Sequence, residues 1–110
     1  MENDIQALIG LVKAFVNERD WDQFHNPKDL ALALSIEASE LNEAFLWKAP
    51  EAASPDKVRE ELADVLIYAI LLAGKYDLDI PTIVKEKIAK NAAKYPVEKA
   101  RGSAKKYNEL

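Results

Sequence analysis

The chain has 110 residues, of which 49% are hydrophobic, and its formal net charge is −4. This length predicts one domain over residues 1–110, and the apolar fraction excludes a disordered chain. Because there is no cysteine and only one histidine, disulfides, thiolate nucleophiles and zinc centres built from Cys or several His are excluded. The longest apolar run, residues 65–73, is far shorter than the roughly 20 residues of a membrane span. The polar, acidic start of the chain does not resemble a signal peptide, so we expect a cytoplasmic protein with no membrane partner.

The charge is distributed unevenly along the chain. From residue 85 to the end, eight Lys and Arg stand against three Glu, a net charge of +5, so the preceding residues carry −9. A nucleic-acid polymer needs a continuous basic face, which this distribution does not offer. It suits a small polyanion that is held between a metal ion and a few basic side chains.

Four helices and no strand are predicted. Apolar residues recur with a helical period over residues 4–19. An Asn26-Pro27 start opens a second helix that runs to about residue 47, and a Ser54-Pro55 start opens a third that runs to about residue 75. The chain restarts over residues 77–81, and the fourth helix runs to about residue 94, since Tyr95-Pro96 disfavours its continuation.

These helices predict an all-α fold, a four-helix bundle with the third helix at its centre. Residues 65–73 are apolar on every side of that helix, and three neighbours from the same chain would not cover it fully. We therefore expect the protomer to assemble into a homodimer or homotetramer. The tail, residues 96–110, is expected to be ordered against a partner or a ligand.

Two pairs of acids lie inside strongly apolar stretches: Glu37 with Glu40, and Glu61 with Asp64. Each pair is spaced i, i+3, so both side chains project from nearly the same helical face. Single acids of this kind often face solvent or form surface salt bridges. Four acids that converge on a buried face would repel one another, and their desolvation costs several kcal/mol for each ion. A hard divalent cation with oxygen ligands removes both problems, so the pattern predicts a metal site across two helices, with Mg2+ as the metal.

At this point the chain resembles a known family. An ExxE motif that is followed, after twenty residues, by an ExxD motif is the pattern of the MazG-like all-alpha nucleoside triphosphate pyrophosphohydrolases. Further segments resemble their dCTP pyrophosphatase branch. These segments are residues 18–25, 47–48, 64–68, 87–91, 94–97 and 100–103. The resemblance implies hydrolysis of a deoxynucleoside triphosphate, most specifically dCTP or modified dCTP, to the monophosphate and pyrophosphate, as nucleotide-pool housekeeping. It also implies Mg2+, for which Mn2+ could substitute, held on Glu37, Glu40, Glu61 and Asp64, and active sites near subunit interfaces.

The chemistry of the residues agrees with this reaction. Attack at the α-phosphorus needs an activated water and neutralised phosphate charge, which metal ions provide. Without a nucleophilic Cys or a Ser–His arrangement, direct attack by water fits better than a covalent intermediate. A carboxylate that the metal does not fully occupy would activate that water. We expect this to be Glu40, with Glu37 as the alternative.

Four ring side chains are candidates for base binding: Trp21 and His25 in a polar loop, Trp47 at a helix end, and Tyr68 one turn beyond Asp64. The alternative is that the aromatics are core residues and that His25 is a hydrogen-bonded structural residue. Aromatic faces stack on bases with about 1–3 kcal/mol for each base. The resemblance implies that Trp21, Trp47 and Tyr68 surround the base.

A basic face near the end of the fourth predicted helix is the candidate for phosphate binding. Lys87, Asn91 and Lys94 share one helical face, and Tyr95 and Arg101 follow. The alternative is a solvated face that complements the helix C-terminus.

Two other functions of the protein also stay open: a MazG-like pyrophosphohydrolase of broad specificity that acts on other or damaged nucleotides, and a non-enzymatic helical oligomerisation module.

Overall fold

The computed structural model describes residues 3–110, and it confirms the all-α prediction because these residues contain helices and no strand. The long helices are α1 (Asp4–Glu18), α2 (Pro27–Glu43), α3 (Pro55–Lys75) and α4 (Ile80–Lys94), and a short helix α5 (Val97–Ala100) follows. Three 3-10 helices span Asp22–Phe24, Pro50–Ala52 and Tyr107–Glu109.

Local chemistry sets the start of each long helix. The side chains of Asn3, Asn26, Ser54 and Asp79 each accept a hydrogen bond from the backbone N–H three residues later. Helices α2, α3 and α4 also have proline in their first turn, where its missing N–H costs no helical hydrogen bond. Both proline-containing starts predicted from the sequence are therefore confirmed.

Helix α2 ends earlier than the sequence predicted. It stops at Glu43, and hydrogen-bonded turns carry the chain on to Trp47. Trp47 has a φ of 60°, a left-handed backbone conformation that does not continue a right-handed helix. The predicted end near residue 47 was four residues too late, and Trp47 lies in a turn.

Of the described residues, those up to Asp77 form one compact unit. Within it α3 contacts both α1 and α2, and its contact with α2 is the more extensive. Among residues 3–110, the buried apolar residues all lie in this unit: Val12, Val16, Leu30, Ala44 and Ala73. Much apolar surface stays uncovered, since Leu11 is 69% and Leu66 is 54% exposed.

The second unit spans Leu78–Leu110. Within it the Tyr107 ring meets the Tyr95 ring edge-on at 6.2 Å between centroids. The Lys94 ammonium lies 5.0 Å from the Tyr107 centroid. The tail thus contacts its own unit; that a partner or ligand orders it further stays a prediction, as does a single domain over residues 1–110. Among residues 3–110, none of the helices has the length and apolarity to cross a bilayer.

Candidate functional site

Carboxylates from two neighbouring helices converge in the first unit. Because α2 packs along α3, the i, i+3 pairs on the two helices approach one another. One oxygen each from Glu37, Glu61 and Asp64 lies within 4.8 Å of the other two. The structure thus brings together three of the four acids that the sequence predicted as metal ligands.

The burial of these carboxylates identifies them as more than a solvated acidic face. Glu61 is only 7% exposed. The Oε2 atoms of Glu37 and Glu61 are both buried, and neither finds a hydrogen-bond partner among the described residues. An unpaired buried carboxylate oxygen is costly. Buried, unpaired oxygens on acids that form an all-oxygen donor set fit a hard divalent cation such as Mg2+.

Lys57 contributes a positive charge to this cluster, and the sequence prediction did not include it. Its Nζ lies 2.8 Å from Oε1 of Glu61, four residues further along α3. This contact lowers the pKa of Glu61, first through the hydrogen bond and then, against the opposing effect of burial, through the lysine's charge. The i, i+4 spacing on one helix was the signal that would have identified Lys57.

Glu40 has a different environment from the three clustered acids. It is not one of the three acids whose oxygens lie within 4.8 Å of one another. Its pKa is nevertheless raised to about 7, mainly by hydrogen bonding to Glu37 and by the charge of Glu37. Desolvation and the nearby Glu61 raise this pKa further. Near neutral pH Glu40 is therefore poised between holding and releasing a proton, as general acid–base groups are.

Glu40→Gln is expected to raise the melting temperature of the metal-free protein at about pH 8. The folded-state pKa of Glu40, about 7, lies above its ordinary value of 4.5. Between these values the folded protein binds more protons than the unfolded chain, so this group's contribution to stability falls as the pH rises through that window. A neutral glutamine has no such dependence. Thermal unfolding in EDTA at about pH 5 and about pH 8 measures the effect, which should be larger at the higher pH.

Glu43→Gln is the matched control for this experiment, because Glu43 is an exposed glutamate near the end of α2. It should leave the melting temperature nearly unchanged at both pH values. If Glu40→Gln and the native protein melted together at about pH 8, repulsion at Glu40 would not be destabilising the fold.

A cavity of about 220 Å³ opens beside the acidic cluster. Asp64 belongs to both, since it is one of the clustered acids and also lines the cavity. The remaining lining residues come from α1, the following loop and α3: Phe15, Val16, Trp21, His25, Ile67, Tyr68 and Leu71. Three of the four predicted base-binding residues, Trp21, His25 and Tyr68, therefore share one cavity next to the carboxylates.

Two details give this cavity recognition chemistry. The Trp21 ring meets Phe15 edge-on at 5.7 Å, which orients it against α1. His25 Nδ1 is buried and has no hydrogen-bond partner among residues 3–110. A largely apolar cavity with several aromatic side chains and an unpaired polar atom is typical of a site for a small flat ligand.

Trp47, the fourth predicted base-binding residue, is not brought to this cavity. Trp47 is 94% exposed and lies in the turn that follows α2. The sequence reasoning also missed Phe15, Val16, Ile67 and Leu71 as cavity residues. They belong to helical apolar stripes, and periodicity alone does not distinguish a core position from a cavity wall.

The five predicted phosphate-binding residues all lie in the second unit. Lys87, Asn91 and Lys94 are exposed on α4, Tyr95 follows it directly, and Arg101 follows α5. Tyr95 is half-buried, whereas Arg101 is exposed like the three residues of α4. The role of all five as phosphate contacts stays a prediction.

Comparison with known proteins places these observations in a family. Residues 32–110 match the model of the MazG-like family. The dCTP pyrophosphatase 1 of Rattus norvegicus is 46% identical over an alignment of 117 positions, gaps included. The alignment covers 99% of this chain and 69% of the relative. The dCTP pyrophosphatase 1 of Homo sapiens is 45% identical over an alignment of the same length, which covers the same fractions of the two chains.

A solved structure is similar as well. The crystal structure of a pyrophosphatase from Archaeoglobus fulgidus matches with a TM-score of 0.77 and 34% identity, and the match covers 87% of this chain and 95% of that chain. The carboxylate motifs, the all-α fold and these matches agree with one another, and the chain belongs to the MazG-like family.

Proposed function

We propose that this protein hydrolyses dCTP, or a modified dCTP, to dCMP and pyrophosphate, as part of nucleotide-pool housekeeping. The observation that carries the proposal is the convergence of three partly buried carboxylates at the edge of an aromatic cavity, with Asp64 in both. The relatives named dCTP pyrophosphatase 1 and the similar solved pyrophosphatase support both the reaction and the base.

The metal is proposed to be Mg2+, with Mn2+ as a substitute. Glu37, Glu61 and Asp64 would hold it, with Glu40 as the fourth acid. When bound, it supplies neutralisation of the polyphosphate charge and activation of water for attack.

Glu40 is the proposed general base. Its pKa in the metal-free protein is raised to about 7, close to neutral pH, which suits a group that accepts a proton from the attacking water. Glu37, the main cause of the raised pKa of Glu40, is the alternative base.

The cavity is proposed to bind the base. Trp21 and Tyr68 offer ring faces for stacking. The unused Nδ1 of His25 would hydrogen-bond an edge of the base, and a buried polar group of this kind discriminates strongly between substrates. Lys87, Asn91, Lys94, Tyr95 and Arg101 are the proposed phosphate contacts. Trp47 stays a proposed base contact, with its exposed ring available to a site that a second chain completes.

We also propose that the protomer assembles with copies of itself into a homodimer or homotetramer. An apolar groove of about 250 Å³ lies between α1 and α3, and its lining is nonpolar throughout: Leu8, Leu11, Val12, Phe15 and Ile67. Exposed apolar side chains continue beyond the groove at Leu62 and Leu66 on α3. Patches of this kind mark protein interfaces. A cytoplasmic location remains a prediction from the sequence.

Leu11→Lys is expected to reduce the assembly to the protomer mass of 12.3 kDa, because it places a charge in the apolar groove. Glu18→Lys is the control, since it makes a larger charge change at the exposed end of the same helix. Sedimentation equilibrium measures both masses. If Leu11→Lys kept the native mass, the groove would not be the interface.

The activity is tested by pyrophosphate release from each common NTP and dNTP, with and without Mg2+. Mg2+-dependent release dominated by dCTP supports the proposal. Release spread across the bases would favour the broad-specificity pyrophosphohydrolase. No release from any nucleotide, including modified dCTP, would favour the non-enzymatic oligomerisation module.

A further inference from the structure

An ion pair ties the loop that follows α1 to the end of α3. Lys75 Nζ donates a hydrogen bond to Asp22 Oδ1 at 2.8 Å, across 53 residues of sequence. The Lys75 side chain is 27% exposed, so its ammonium is partly shielded from water. The hydrogen bond and charge of Lys75 lower the pKa of Asp22 below its ordinary value of 3.8, which shows that Lys75 stabilises the ionised carboxylate.

Asp22 lies between the two loop residues that line the cavity. Trp21 precedes it directly. The carbonyl of Asp22 accepts a hydrogen bond from the His25 backbone N–H at 3.0 Å. The Trp21 N–H in turn donates to the Val16 carbonyl at 3.1 Å. The α1 side of the loop is therefore held by backbone hydrogen bonds. On the α3 side, Lys75 is the side chain that the described structure places in an ion pair with the loop.

We propose that the Asp22–Lys75 ion pair holds the Trp21–His25 loop over the aromatic cavity and thereby sets the affinity for the nucleotide base. This inference rests on the proposed function, because it assigns a role to that cavity. Both residues line a second cavity of about 200 Å³, together with Leu71, which also borders the base cavity. The pair thus lies beside the base site and lines no part of it, and its two members are positioning residues.

The partial exposure of the pair sets the size of its effect. The Asp22 side chain is 64% exposed, and exposed ion pairs contribute modestly because water and salt screen them. Breaking the pair should raise KM for dCTP by about twofold to fivefold. The value of kcat should stay the same, since neither residue lies in the carboxylate cluster.

Lys75→Met tests the inference, because it removes the charge and keeps a long side chain. Lys75→Arg should restore the native KM, since it restores the charge. Lys13→Met is the matched control, a lysine that lines the same second cavity without pairing with Asp22 in the structure. In a double-mutant cycle, Asp22→Asn combined with Lys75→Met should raise KM no more than the stronger single change.

A second readout does not depend on activity. The chain has two tryptophans, so Trp47→Phe leaves Trp21 as the single indole fluorophore. In that background, without nucleotide, Lys75→Met should increase acrylamide quenching of Trp21 and lower its anisotropy, whereas Lys13→Met should change neither.

The outcomes separate this inference from the proposed function. If the otherwise native protein releases pyrophosphate and Lys75→Met keeps both native KM and native quenching, the inference is overturned. Lower kcat and melting temperature with native KM and quenching would also overturn it, because the pair would then serve the fold alone. If no nucleotide is hydrolysed, the proposed function fails, and Trp21 quenching still decides whether Lys75 orders the loop.

Discussion

Asp64→Asn is expected to lower the rate of pyrophosphate release from dCTP by about a thousandfold or more. Asp64 is one of the three acids whose oxygens lie within 4.8 Å of one another, and asparagine removes its negative charge with almost no change of shape. Metal ions contribute several kcal/mol to charge stabilisation in such transition states, and each 1.36 kcal/mol corresponds to a factor of about ten in rate. Glu61→Gln should act in the same direction.

The fold should survive Asp64→Asn, which distinguishes a catalytic role from a structural one. Circular dichroism should remain native, and the melting temperature in EDTA should not fall, because the change relieves repulsion within the cluster. The rise in melting temperature on adding MgCl2 should shrink or vanish, since the stabilisation by a bound ligand grows with the logarithm of its concentration divided by its Kd, and the variant should have a higher Kd.

Glu60→Gln is the control for this prediction. Glu60 is an exposed glutamate directly before Glu61 on α3. Its substitution makes the same change from a carboxylate to an amide, but outside the cluster. It should keep native activity and native Mg2+-dependent stabilisation. Native activity in Asp64→Asn would contradict the assignment of the site, and a large loss of stability in EDTA would assign the acid to the fold.

Trp21→Ala is expected to weaken dCTP binding by roughly 5-fold to 150-fold. This range corresponds to the loss of about 1–3 kcal/mol of stacking for one base. Trp21 lines the cavity beside Asp64 and Tyr68, and its edge-on contact with Phe15 sets the orientation of its ring. Titration calorimetry with a non-hydrolysable dCTP analogue measures the affinity, and steady-state kinetics measure KM and kcat separately.

Two further variants make this result interpretable. Trp21→Phe keeps an aromatic face and should retain most of the affinity, even if the loop loses some packing. Phe24→Ala removes an aromatic ring from the same loop, but Phe24 is 66% exposed and does not line the cavity, so its effect should be small. Equal losses in Trp21→Ala and Phe24→Ala would mean that the base does not stack on Trp21.

Trp47→Ala answers a separate question with the same assay. Trp47 is 94% exposed and lines no part of the cavity in the protomer. A loss of affinity close to that of Trp21→Ala would support a base site that a second chain completes. Native affinity would remove Trp47 from the base-binding residues.

The sequence by itself determined the starts of α2 and α3 and the pairing of the acids. Asn26-Pro27 and Ser54-Pro55 start helices because a cap side chain and a proline act within one turn. The i, i+3 spacing of Glu37 with Glu40, and of Glu61 with Asp64, follows from the helical period alone. These features depend on neighbours in sequence, so no tertiary information was needed.

The tertiary structure decided which acids form the cluster and which aromatic residues share the cavity, because both follow from how one element packs against another. Helical period places Glu40 beside Glu37, but the packing of α2 on α3 decides that Glu37, Glu61 and Asp64 form the tight cluster. The left-handed turn at Trp47 separates that residue from the cavity, whereas the sequence grouped it with Trp21.

The base cavity and the loop that covers it are the clearest examples. Phe15 and Leu71 come from helices distant in sequence, and only the placement of α1 against α3 makes them walls of one cavity. Asp22 and Lys75 are 53 residues apart, and no local pattern links them. Local hydrogen bonds and helical period are encoded residue by residue, whereas distances between helices arise from side-chain packing across the whole unit.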